Sequence, residues 1–186
     1  MASLLIVDDL IPIHEMLGAV LHPTGHQTAF ATDGEKALAT YKAGQFDLVL
    51  ADIDMKPMDG ITLLKKLKAY DQTAVLIIMT AYASTESAIQ ALQYGAFDYL
   101  QKPFKVDELL QALQRGLIYR QGLLARAAVV EAAAEMIASS RKPVIVVGRG
   151  ALWSGAGEAV RQLAARSGAL IITSLMAKNW LSEDDF

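Results

Sequence analysis

The chain has no cysteine among its 186 residues. That excludes disulfides and thiolate metal sites, and it fits a reducing cytoplasm. Charge is sparse, at 20% of residues, while hydrophobic residues make up 53%. Such a composition buries a core and does not read as disordered. No basic cluster stands out. Residues 1–118 hold 9 Lys and Arg against 14 Asp and Glu, a balance of −5, and residues 119–186 hold 8 against 6, a balance of +2. Neither value suits a sequence-independent nucleic-acid binder. Long hydrophobic runs are also missing. The N-terminus has no basic region, and its apolar run stops at Asp8, too short for a signal peptide or a membrane span.

What is present is an alternation of short apolar runs and longer amphipathic segments. Residues 4–7, 27–31, 48–51, 74–79 and 96–100 read as strands. Residues 11–21, 34–43, 61–70 and 84–94 have helical spacing, and Gly95 is a suitable C-cap. Helix 11–21 is expected to turn Ile13, Leu17 and Val20/Leu21 inward. Helix 61–70 is expected to bury Leu63, Leu64 and Leu67 and to turn Lys65, Lys66 and Lys68 out. Five apolar strands separated by helices imply an α/β fold, a doubly wound five-stranded parallel sheet. Ligands of such sheets bind at the edge where the strand C-termini open. The polar residues ending the strands are Asp8 and Asp9, Asp52, Thr80 and Lys102, so the fold gathers them there.

That set has a chemistry. Three carboxylates at close range repel one another unless a cation sits among them. Oxygen-only, partly open sites suit Mg²⁺, which also binds phosphate oxygens. Aspartate is a known nucleophile toward phosphorus. The Lys102 ammonium and the Thr80 hydroxyl are suited to neutralising phosphoryl oxygens. Taken singly, each residue has an ordinary explanation: Asp8 and Asp9 as a helix cap, Thr80 as a strand end, Tyr99 as a half-buried tyrosine, Lys102 as a solvated loop residue. Their joint arrival at the ends of different strands favours function. For Asp59, followed by Gly60, a turn role is expected. Asp54 is balanced between function and plain exposure. His14, His22 and His26 lack ligand spacing and read as surface or helix-end residues.

The motifs Leu5-Ile6-Val7-Asp8-Asp9, Asp47-Leu48-Val49-Leu50-Ala51-Asp52, Met58-Asp59-Gly60, Met79-Thr80-Ala81 and Asp98-Tyr99-Leu100-Gln101-Lys102-Pro103-Phe104 follow one another in order. Over residues 1–118 this set resembles the response-regulator receiver domain of two-component signalling. The resemblance implies a flavodoxin-like fold and phosphorylation of Asp52 by the phosphohistidine of a histidine kinase or phosphotransfer protein. It implies Mg²⁺ held by Asp8, Asp9, Asp52 and the backbone carbonyl of Asp54. It also implies a switch in which Tyr99 moves inward with Thr80, and a cis Lys102–Pro103 bond. The family usually places proline four residues after the acceptor. Here Lys56 stands there and Pro57 follows, so a slightly different loop path is expected. Asp54 sits beside the phosphoryl position, where an extra carboxylate is expected to alter the lifetime of an aspartyl phosphate.

A helix is expected from about Val106 to about Ala138, with Val106, Leu110, Leu113, Leu117 and Leu124 near heptad spacing. Residues 119–140 then form a helical linker. Residues 141–186 read as a partial Rossmann-like β-α-β unit: strand 144–147, a tight exit at Gly148-Arg149-Gly150, helix 157–167 with Val160, Leu163 and Ala164 inward, a Gly168 cap and strand 170–173. The pieces Lys142-Pro143-Val144-Ile145-Val146-Val147-Gly148, Trp153-Ser154-Gly155-Ala156 and Thr173-Ser174-Leu175-Met176-Ala177-Lys178 give residues 127–186 a second resemblance. They are similar to the opening of the central domain of thiamine-diphosphate-dependent enzymes. The Gly-Asp-Gly motif through which that family binds the diphosphate and its Mg²⁺ does not occur here. The leading expectation is a phosphorylation-gated switch of a protein–protein interface, cytoplasmic, without direct nucleic-acid or membrane binding, and not a turnover enzyme. A possible homodimer goes with it. The alternatives are the N-terminal regulatory part of a thiamine-diphosphate enzyme and a standalone signalling adaptor.

Overall fold

The computed structural model describes residues 1–81, 85–148, 151 and 154–173. The chain divides into two compact units, Met1–Ala125 and Arg126–Phe186. In the first, strands β1 (Ser3–Val7), β2 (Gln27–Ala31), β3 (Leu48–Asp52), β4 (Leu76–Thr80) and β5 (Asp98–Gln101) form one parallel sheet in the order β2-β1-β3-β4-β5. This is one of the two common doubly wound orders, with its switch point between β1 and β3.

The sheet is buried on both faces at its centre because β1, β3 and β4 are apolar at every position but their ends. Leu5, Val7, Val49, Ala51, Leu76 and Ile78 point one way. They meet helices α2 (Gly34–Ala43), α3 (Gly60–Tyr70) and α4 (Thr85–Gln93) through Ala37, Tyr41, Leu63, Leu64, Leu67 and Ala91. The alternate residues Leu4, Ile6, Leu48, Leu50, Ile77 and Met79 point the other way. They meet α1 (Ile11–Leu21) and α5 (Val106–Ser139) through Leu17, Leu21, Leu109, Ala112 and Leu113. The period of two along each strand thus assigns the helices to their layers.

Local signals set the helix ends. Asp33 caps α2 by accepting from the Lys36 N–H at 2.9 Å. Asp59 caps α3 by accepting from the Thr62 N–H at 2.6 Å, so its role is a cap and not the expected turn. Gly95 takes the left-handed conformation, φ 90°, after α4. Three expectations of burial need correcting. His14 is buried and stacks on Phe30 with ring centroids 5.0 Å apart, because it shares the inward face of α1 with Leu17 and Leu21. Lys68 is half-buried and donates to the Ala74 carbonyl at 2.7 Å, and burial lowers its pKa. On α5 the buried residues are Leu109, Ala112, Leu113 and Gly116, while Val106 and Leu124 are exposed. Gly116 lets α5 lie close to the sheet, since a Cβ there would come within 2.5 Å of the Leu48 side chain.

In the second unit β6 (Val144–Val147) and β7 (Leu170–Thr173) pair in parallel, joined through α6 (Gly157–Ser167). Val147, Ile171 and Ala164 form its small core, with Ile145 and Val160 packed against it. Leu163, expected inward, is exposed, because among the described residues α6 packs on two strands and its contact stripe is correspondingly narrow. Gly168 closes α6 in the left-handed conformation, φ 65°. The expected exit at Arg149 and Gly150, and the quoted positions Trp153 and 174–178, lie outside the described residues. Among the described residues no helix is long and apolar enough to cross a membrane.

Candidate functional site

The C-terminal ends of β1 and β3 are neighbours in the sheet, with Val7 paired to Ala51. Asp8 follows β1 and Asp52 ends β3, so both carboxylates open at the switch point. Asp8 is fully buried and Asp52 nearly so. Two buried anions side by side need a cation, and Lys102 supplies it from the segment after β5. Its Nζ lies 2.5 Å from Asp8 Oδ2 and 2.7 Å from Asp52 Oδ1. Burial alone would lower the Lys102 pKa, but the hydrogen bonds to Asp52 and Asp8, with their charges, outweigh it and hold the ammonium above its ordinary value. The Lys102 N–H also donates to the Thr80 carbonyl at 2.7 Å, tying the lysine's backbone to the end of β4.

The remaining carboxylate oxygens are also fixed. Asp8 Oδ1 accepts from the Leu10 N–H at 3.0 Å, and Asp52 Oδ2 accepts from the Asp54 N–H at 3.0 Å. Each of the four oxygens therefore has a donor among the described residues, and the two groups are held in position before any substrate arrives. Asp9, by contrast, is exposed at the rim. Among the described residues no group of three or more carboxylate or imidazole side chains is assembled at metal-binding spacing. The pair Asp8 and Asp52 is an all-oxygen donor set, the ligand chemistry that suits a hard divalent cation.

The loop after Asp52 is anchored by Met55, which no motif named, and by Met58 and Gly60, whose motif did not give their role. Met55 and Met58 are buried in the core beneath it. Gly60 N–H donates to the Ile53 carbonyl at 3.0 Å, and a Cβ on Gly60 would collide with the Asp52 carbonyl oxygen. The signal for this was the Met58-Asp59-Gly60 motif, but its meaning is steric and shows only once the loop is folded. The bonds Lys56–Pro57 and Lys102–Pro103 are both cis. Asp54 is exposed and lines a cleft of about 470 Å³ with Lys56, Asp59 and Lys65.

Thr80 is buried at the end of β4, and Tyr99 lies on β5 opposite Ile78. The Tyr99 hydroxyl is itself buried and has no hydrogen-bond partner among the described residues. On the other side of Lys102, Ile13, Met16, Ala81, Pro103 and Phe104 line an apolar cleft of about 290 Å³, beside the exposed Leu10 and Ile11.

Residues 4–114 match the response regulator receiver domain family, and residues 130–186 match the thiamine pyrophosphate enzyme central domain. The transcriptional regulatory protein ZraR of Escherichia coli K12 is 41% identical over 130 residues, which are 70% of this chain and 30% of that protein. Sporulation initiation phosphotransferase F of Bacillus subtilis is 38% identical over 115 residues, 62% of this chain and 93% of that protein. A CheY-like receiver domain protein from Methanospirillum hungatei superposes with a TM-score of 0.63 at 30% identity, over 66% of this chain and 98% of its own. This chain thus spans under a third of the length of the transcriptional regulators it matches.

Proposed function

Because this chain belongs to the response regulator receiver family, we propose that Asp52 is its phosphoacceptor, charged by the phosphohistidine of a histidine kinase or phosphotransfer protein. The observation that carries this is the Asp8–Lys102–Asp52 arrangement at the switch point of the sheet. An Asp52 oxygen attacks phosphorus, the P–O bond forms as the P–N bond breaks, and the donor imidazole leaves with the electron pair. The Asp54 N–H orients the attacking carboxylate, and the Lys102 ammonium lies where negative charge gathers on the phosphoryl oxygens. The Thr80 hydroxyl is the group we assign to a further oxygen. Asp8, Asp9, Asp52 and the backbone carbonyl of Asp54 are the residues that would hold Mg²⁺, which supplies neutralising charge when bound.

Residues 1–118 form the receiver in this reading, 119–140 a helical linker and 141–186 a partial α/β unit. The output is a change of interface at the Thr80 and Tyr99 face, in a cytoplasmic signalling protein rather than a turnover enzyme. The apolar cleft beside Lys102 gives the donor protein a surface next to the acceptor.

The test is incubation with Mg²⁺ and acetyl phosphate, with intact mass followed over time. A single phosphoryl adduct is expected in the wild type and none in Asp52→Asn. An adduct that persists in Asp52→Asn would remove the assignment. A second reading rests on the match of residues 130–186: the receiver regulates a thiamine-diphosphate enzyme encoded in the same frame. Sequencing the transcript past the Phe186 codon decides it, since an in-frame Gly-Asp-Gly module supports the enzyme and a stop codon supports the adaptor.

A further inference from the structure

A parallel sheet is normally covered on both faces. Among the described residues the β6–β7 pair is covered on one. Val147 and Ile171 face α6, while Val144, Val146, Leu170 and Ile172 are 52%, 70%, 58% and 45% exposed. The register places Val144 opposite Leu170 and Val146 opposite Ile172, so these four side chains form a continuous apolar square. No charged residue lies among them.

The same unit contains a second uncovered apolar surface. The last turns of α5 carry Val129, Val130 and Met136 at 70%, 64% and 70% exposure. At 100° per residue these three share one side with Ala133 and Ile137, while Glu131 and Glu135 fall opposite. A stripe of this kind suits the face of a sheet. In a doubly wound unit, moreover, helices cover both faces of the sheet. Among the described residues the second face is open, and the helix that precedes β6 runs from Val106 to Ser139. The exposure of both the stripe and the sheet face shows that the helix does not lie on its own sheet.

We propose that two copies of this chain associate reciprocally through this unit. The Val129, Val130 and Met136 stripe of each lies on the Val144, Val146, Leu170 and Ile172 face of the other. The arrangement is two-fold and isologous, so each copy gives a helix and receives one. Seven large apolar side chains at these exposures offer on the order of 700 Å² per copy, close to the roughly 800 Å² per partner of a standard interface. The contact is independent of phosphorylation at Asp52.

Light scattering of the full chain after size exclusion tests this. The wild type is expected at twice the 20.1 kDa chain mass. Val146→Lys on the sheet and Val130→Glu on the helix are each expected at the single-chain mass. Val130 is exposed on a helix, so its substitution leaves the fold intact, and circular dichroism checks both variants. An equimolar mixture of the two variants is expected to recover the dimer. It keeps one native helix–sheet contact and sets the introduced carboxylate against the introduced ammonium in the other. A monomeric wild type would overturn the proposal, because the face would then be covered within one chain or not at all. A Val130→Glu variant that stays dimeric would mean sheet-on-sheet pairing and would overturn it equally. Monomeric variants whose mixture does not recover would rule out reciprocal exchange.

Discussion

At the scale of single residues, Lys102 is the group on which the site depends. It neutralises two buried carboxylates at once, and removing it leaves them facing each other. Lys102→Met is expected to lower stability by about 3 kcal/mol, the lower end of the range for breaking a buried pair, since the ammonium keeps some contact with water. Urea unfolding measures this. The loss should be smaller in the Asp8→Asn background, with a coupling above roughly 0.5 kcal/mol, and additivity would show that the groups act separately. Asp54 makes a different prediction. Its carboxylate is exposed on the loop that carries the acceptor, and we propose that it positions an attacking water. Asp54→Ala is expected to slow decay of the aspartyl phosphate several-fold, and an unchanged decay rate would remove the idea. The residues of this site were readable from the sequence because strand ends converge in a doubly wound sheet. The donors that fix the carboxylates, the Leu10 and Asp54 N–H groups, were not, since backbone groups leave no trace in residue identity.

At the scale of elements, two contacts explain how loops and helices are held. The first is the passage of α3 under the acceptor loop at Gly60. Adding a methyl group forces it into the Asp52 carbonyl. Gly60→Ala is therefore expected to cost about 1–3 kcal/mol as overpacking, and to slow phosphorylation by displacing the acceptor. Thermal unfolding and the acetyl phosphate assay read the two effects. The second joins α2, the α3–β4 loop and α5 at the opposite end of the strands. Tyr41 donates to Asp71 at 2.8 Å, the Thr73 hydroxyl to Asp71 at 2.6 Å, and Arg120 to both Asp71 and Thr73. Burial pushes the Asp71 carboxyl up, but the Thr73 and Tyr41 hydrogen bonds and the Arg120 charge overcome it and hold the pKa at about 2. Burial and the same carboxylate raise the Tyr41 hydroxyl. A folded carboxyl below its usual 3.8 stabilises above that value and loses the contribution as pH falls toward 2. Tyr41→Phe is thus expected to cost about 1.5–3 kcal/mol near pH 7, with the deficit closing between pH 4 and 2. A deficit constant across that range would assign it to packing instead. In the sequence Arg120 was only a charge inside a helix. Its partners lie 47 and 49 positions away, a distance that helical periodicity does not reach.

At the scale of the whole molecule, the two units carry different amounts of core. Unit Met1–Ala125 buries both faces of five strands, whereas β6 and β7 bury one face of two. A chain ending at residue 125 is therefore expected to fold on its own and to form the phosphoryl adduct at the rate of the full chain. Intact mass of the shortened protein with acetyl phosphate checks this, and loss of the adduct would show that the second unit supports the receiver.

The sequence by itself determined the α/β class, the places of the five strands and the strand-end residues, because apolar runs of four to six residues and polar terminators are local patterns. The tertiary structure decided everything set by distance in the chain. It placed Lys102 between Asp8 and Asp52, positions 94 and 50 residues away from it. It turned His14 inward, gave Asp59 a cap to form, and built the Asp71 cluster. Among the described residues it also left one face of β6 and β7 bare, since whether an apolar residue is buried depends on what packs over it.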